Sequence, residues 1–120
     1  LRETFLMHSD FKDKPIYQKS KHLYSILVKL VDKQVPYTLK DQILRASISI
    51  ILNFSEGYGR FHKNDKKNFY INARASLNEV VACFDLIQIH VDVSEENKTI
   101  IELLFDEIAK MLSGLINSLK

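Results

Sequence analysis

Apolar residues recur along this chain at steps of three and four, the repeat that lays side chains along one face of an α-helix. From Pro15, a residue suited to a first helical turn, Ile16, Leu23, Leu27, Leu30 and Val31 line one face as far as about Gln34. Pro36 interrupts the pattern. Thr38 is a candidate N-cap for a second segment from Leu39 to about Glu56, which Gly57 and Gly59 are expected to stop. Phe69, Ala73, Leu77, Val80, Phe84, Ile87 and Val91 then mark a third helix from about Asp65 to Asp92. Ser94 with Glu95, Glu96 and Asn97 reads as a capping box. It opens a fourth helix whose face is Ile101, Leu104, Ile108, Met111, Leu115 and Leu119. No segment alternates as a strand does, and short connections force consecutive helices to lie antiparallel. The expected fold is therefore all-α, an antiparallel up-down-up-down four-helix bundle over residues 15–120, behind a charged, partly mobile lead-in at residues 1–14.

Two of these helices carry more apolar surface than a four-helix core needs. In the second, Ile43, Ala46, Ile50 and Phe54 form a stripe that Leu44, Ile48, Ile51 and Leu52 widen to about 240° of arc. The third adds Ile71, Ala75, Ala82, Leu86 and Ile89, nearly opposite its heptad seam. A larger core could absorb some of these residues, but four helices leave little room for it. Leu44, Ile48, Leu52, Ile71, Ala75, Ala82, Leu86 and Ile89 are thus candidates for an interface with further copies of the chain.

Composition narrows the rest. At 120 residues and 46% hydrophobic, the chain has enough for one core and one domain. Cys83, the single cysteine, lies in an apolar run with no histidine nearby, as a small buried hydrophobe would; with no internal disulfide possible, a cytoplasmic location is expected. No apolar run approaches the roughly 20 residues of a membrane span, so no membrane partner is expected. The formal charge is only +2, yet Arg60, His62, Lys63, Lys66 and Lys67 crowd together against one acid, Asp65. Either they decorate a solvated turn or Arg60, Lys63, Lys66 and Lys67 bind phosphate, which makes them the candidate nucleic-acid-binding residues.

A polar seam is also foreseen. Gln42, Arg45, Ser49, Asn53 and Glu56 follow one another at steps of three or four, and Asn72, Ser76 and Glu79 form a matching row in the third helix, with Cys83 continuing it. Folding the helices about a turn near His62 sets Asn53 beside Asn72, Ser49 beside Ser76, and Arg45 beside Glu79 or Val80. The seam holds no histidine, no base beside a nucleophile and no carboxylate pair at metal-ligand spacing. It reads as a structural device that sets helix register, with no catalytic residue, metal ligand or cofactor assigned.

The run Gln42 to Arg60, QILRASISIILNFSEGYGR, followed by ARASLNE at Ala73 to Glu79 and MLSGLI from Met111, resembles the bacterial four-helix-bundle family encoded in intervening sequences of 23S ribosomal RNA genes, often labelled "S23 ribosomal protein". Gln42, Arg45, Ala46, Ser49, Ile50, Asn53, Glu56, Gly57, Gly59 and Arg60 match the first part of its pattern. Ala73, Ser76, Leu77 and Glu79 match the second; Met111, Leu112, Gly114, Leu115 and Ile116 match the third. Ile51 stands where the family commonly has proline, and Ala75 where it has glycine. The resemblance implies a homo-oligomer, with a pentamer as the expected state. It also implies partners among RNA, DNA or a nucleic-acid enzyme such as a reverse transcriptase. A nucleic-acid-binding oligomer and a protein-interaction scaffold or accessory subunit without direct nucleic-acid contact are the two functions to weigh; an enzyme is not expected.

Overall fold

A computed structural model describes residues 10–32 and 34–120. The lead-in expected at residues 1–14 lies outside the described residues as far as Ser9; beyond it, Asp10–Asp13 forms a short 3-10 helix. Four α-helices follow: α1 (Pro15–Leu30), α2 (Tyr37–Tyr58), α3 (Lys63–Ile87) and α4 (Glu95–Asn117), with no strand among the described residues. Each helix packs on two others, α1 on α2, α2 on α3, α3 on α4 and α4 back on α1. Consecutive helices are antiparallel, so the start of α1, the end of α2, the start of α3 and the end of α4 share one end of the bundle.

The expected faces of α1 and α2 are the buried ones. Ile16, Leu23, Leu27, Leu30 and Val31 are at most 5% exposed, as are Ile43, Ala46, Ile50 and Phe54. Ser20 joins the α1 face, with its hydroxyl buried and unpaired. In α3, Tyr70 rather than Phe69 is buried, stacked at 6.0 Å on Phe54 across the α2–α3 contact. On α4 the inward arc is broader than one heptad seam: Phe105, Leu112 and Ile116 are buried, while Met111, Leu115 and Leu119 pack at its edge. At 3.6 residues per turn a straight helix carries a strict seven-residue stripe around its axis, and neighbouring positions take over.

Helix ends depart from the sequence pattern for identifiable reasons. α2 starts at Tyr37, with Pro36 as its N-cap at φ −54° and ψ 139°; the proline ring fixes the extended entry, and Thr38 falls inside the first turn. α3 stops at Ile87, five residues before Asp92; the Gln88 amide closes the last turn onto the Phe84 carbonyl at 3.3 Å, and the Val91 amide then meets the Ile87 carbonyl at 3.1 Å. Val91 and Val93 then pack against the end of the core instead of extending the helix. At Ser94 the hydroxyl caps α4 by accepting from the Asn97 amide at 3.2 Å.

Gly57 does not stop α2 by adopting a left-handed conformation, because no glycine has positive φ among the described residues. It is buried within the helix, and a Cβ there would lie 2.8 Å from Tyr70 Cε1 and 2.9 Å from Phe69 Cβ. Its missing side chain is what lets α3 approach.

Candidate nucleic-acid interface and the α2–α3 seam

The basic cluster sits where α2 gives way to α3. The last turn of a helix leaves carbonyls without intrahelical partners, and a cation there also meets the negative end of the helix dipole. Lys66 reaches back from α3 to meet this need: its Nζ donates to the carbonyls of Gly57 and Tyr58, each at 2.9 Å. The same ammonium stands 5.4 Å from the Tyr58 ring and 5.8 Å from the Tyr70 ring. Desolvation in this nook lowers the Lys66 pKa from its ordinary value. Lys66 is therefore engaged within the fold.

The other three candidates face outward. Arg60 lays its guanidinium 4.8 Å from the centre of the Phe69 ring, with Nη2 3.9 Å from a Glu56 carboxylate oxygen. Lys63 is exposed and Lys67 half-exposed on the first turns of α3. His62 is the N-cap of that helix, with extended backbone and no side-chain cap, so the amides of the first turn have no acceptor from the His62 side chain. Asp65 is the acid in that first turn. The sequence reading passed over Phe61, which is 92% exposed and meets the His62 ring at 5.3 Å and nearly perpendicular. Its signal was present: an aromatic between Arg60 and His62, on neither helical stripe.

Along the α2–α3 contact, Ser49 and Ser76 meet, their hydroxyl oxygens 2.8 Å apart. Ser76 donates its one hydroxyl proton to the Asn72 carbonyl at 3.0 Å. Ser49 must then be the donor to Ser76, and it accepts in turn from Asn53 Nδ2 at 2.9 Å. One directed chain thus runs Asn53, Ser49, Ser76, Asn72 across two helices. Arg45 does not pair with Glu79: its Nε lies 3.2 Å from Asp41, one turn earlier on its own helix, and the side chain is 76% exposed. Gln42 takes the place beside Glu79, donating at 2.5 Å. The helix backbone alone brings Asp41 and Arg45 together, whereas a cross-helix pair needs the inter-helix register as well.

The outward side of this hairpin carries the remaining interface candidates. Leu44 and Ile71 are half-buried and pack against the core, so the core absorbs part of the apolar excess. Ile48, Leu52, Ala75, Ala82, Leu86 and Ile89 stay exposed, Leu52 at 59% and Leu86 at 46%. Cys83 is buried, and desolvation pushes its thiol pKa up, with Glu79 adding to the shift.

The model of the 23S rRNA-intervening sequence protein family matches residues 12–114, from the 3-10 helix to near the end of α4. The chain belongs to this family. A crystal structure at 1.70 Å of a protein of unknown function from the S23 ribosomal protein family of Bacteroides thetaiotaomicron VPI-5482 is similar, at 25% identity and a TM-score of 0.74. The match covers 84% of this chain and 97% of that one. No curated protein matches. Family membership spans the α2–α3 seam and the basic loop alike, so both are parts of the shared domain. Among the described residues, no helix is long and apolar enough to cross a membrane.

Proposed function

We propose that this family member is a non-enzymatic, self-associating bundle whose basic end binds nucleic-acid phosphates through Arg60, Lys63 and Lys67. The observation that carries this reading is that Arg60 precedes, Lys63 opens and Lys67 follows by one turn the start of α3, which has no side-chain cap and whose amides and dipole favour an anion. Polar groups in the α2–α3 seam are hydrogen-bonded to one another, which fits a structural role for them. Exposed Ile48, Leu52, Ala75, Ala82 and Leu86 support contact between copies. In a ring the modest charge of one protomer becomes multivalent, and the family resemblance implies five copies.

Two measurements test this reading. Light scattering at micromolar protomer should give a species larger than 14.0 kDa, and Leu86→Glu should dissociate it while helical content persists. Binding of a labelled oligonucleotide should weaken steeply with salt, and the triple alanine variant at Arg60, Lys63 and Lys67 should lose about one unit of salt slope per phosphate contact removed. Unchanged affinity in that variant sinks the assignment of the site. A second reading, a protein-interaction scaffold, is favoured by the opposite end of the bundle, where Tyr37 and Ile89 are 78% and 76% exposed.

A further inference from the structure

We propose that Phe61 is a stacking platform for an unpaired base, so that the basic end of the bundle selects single-stranded over duplex nucleic acid; this rests on the phosphate-binding reading above. Phe61 is the most exposed large hydrophobic residue described, at 92%, and it stands at the tip of the α2–α3 connection. Leaving a phenyl ring in water forgoes the free energy that burying it would release, so its position invites an occupant from outside the fold. His62 meets it nearly perpendicularly at 5.3 Å, and an edge-to-face neighbour of this kind covers at most one face of the ring. Arg60, the residue before it in the chain, is steadied against Phe69, and Lys63 follows two residues after it. A base laid on Phe61 would thus bring its phosphates to a connection that carries a cation before the ring and another after it in the chain.

A polyanion without bases could use the cations alone. Duplexes expose their base faces only at the ends, so a duplex lying across this tip would meet the charges and leave the ring in water. Single strands offer a base face and phosphates together, the combination of stacking and charge by which sequence-tolerant single-strand binding works.

The chain contains no tryptophan, so Phe61→Trp installs a single indole at the tip as a fluorescent reporter. The full chain is titrated with oligouridylate, with oligodeoxyuridylate, which differs from it only in lacking the 2′-hydroxyl, with a blunt duplex of equal length, and with heparin, which has no bases. Single strands should quench the indole and heparin should not. Phe61→Leu should weaken single-strand binding on the order of tenfold while leaving duplex and heparin binding within about twofold. A difference between the two single strands would say whether RNA or DNA is preferred, with stacking upheld in either case. Equal binding of single strand and duplex, indifferent to Phe61→Leu, overturns the stacking role and leaves the phosphate reading standing. No binding to any of the polyanions overturns both. A change in assembly size on Phe61→Leu would assign the ring to a contact between copies and overturn the inference as well.

Discussion

Replacing each of two glycines by alanine should shift stability in opposite directions, although the chemical change is the same. Gly57 and Gly114 both lie within helices, so alanine brings each up to about 1 kcal/mol of helix propensity. At Gly114 a new Cβ meets nothing within 4 Å, and the propensity gain stands alone. At Gly57 the new atom would sit 2.9 Å from Phe69 Cβ and 2.8 Å from Tyr70 Cε1. Carbon atoms pack best at about 3.5–4.0 Å, so α2 and α3 must part there by roughly 0.6 Å or more. The Tyr70 ring can tilt, but Phe69 Cβ is fixed to its backbone. Overpacking of this kind costs about 1–3 kcal/mol, which outweighs the propensity gain over most of that range. Subtracting one variant from the other cancels propensity and isolates the steric cost. At about 4 °C per kcal/mol, the two melting temperatures should differ by roughly 4–12 °C, with Gly114→Ala the higher. Thermal melts followed by circular dichroism, with urea titration alongside, would measure this; protomer concentration must be held constant because assembly couples to unfolding. If Gly57→Ala proved as stable as Gly114→Ala, close approach would not be the reason for that glycine.

Other perturbations probe the neighbouring contacts. Lys66→Met should lower stability by about 1–2 kcal/mol by stranding the Tyr58 carbonyl and leaving the Gly57 carbonyl with the Arg60 amide alone, with Lys66→Arg intermediate; unchanged stability with lost oligonucleotide binding would move Lys66 to the binding surface. Tyr70 has its pKa raised from 10.0 to about 12 by desolvation first and by Tyr58 second. The stability it contributes is therefore present below pH 10 and lost as pH rises towards 12, an effect of roughly 2 kcal/mol, and Tyr70→Phe should flatten the alkaline limb of a stability-versus-pH curve. Arg45→Met breaks only an exposed pair with Asp41 and should cost at most about 1 kcal/mol in urea titration; a loss of about 3 kcal/mol would mean that Arg45 is buried against a partner in the assembly.

What was legible in the sequence follows from how local each feature is. The α1 and α2 stripes were readable because a helix face needs only its own periodicity, and Pro15 and Ser94 marked true starts because capping is settled within one turn. Ser20 was not readable: a serine four residues after Ile16 looks like a gap in the stripe, yet the packing of neighbouring helices buries it. Ser49 and Ser76 were correctly placed side by side because the short turn near His62 sets the register of the two helices. The same register points Arg45 at Glu79, but Asp41 is an acid already in reach through the helix itself and takes the guanidinium instead.

The basic loop shows the limit most clearly, and the reason lies in Gly57. Arg60, Lys63, Lys66 and Lys67 are equivalent as a string of charges, and nothing in their order separates a cation that binds phosphate from one that caps a helix. The distinction depends on how near α3 comes to the end of α2. A bare Cα at Gly57 allows Phe69 and Tyr70 to press against it, and Lys66 lies one turn before Tyr70 on the same face of α3. Once Tyr70 is seated, the Lys66 ammonium falls on the carbonyl of that same glycine and of Tyr58 beside it. Glycine and lysine thus form one device: the first permits the approach, and the second pairs the Tyr58 carbonyl and adds a second donor to the Gly57 carbonyl, which also accepts from the Arg60 amide at 3.2 Å. Lys67, about 100° further around the helix axis, escapes the same fate and keeps its charge for the surface. Of the four cations only Lys66 is held by the helix-end carbonyls, and the proposed phosphate contacts therefore fall to Lys63, Lys67 and an Arg60 that also faces Glu56 and Phe69.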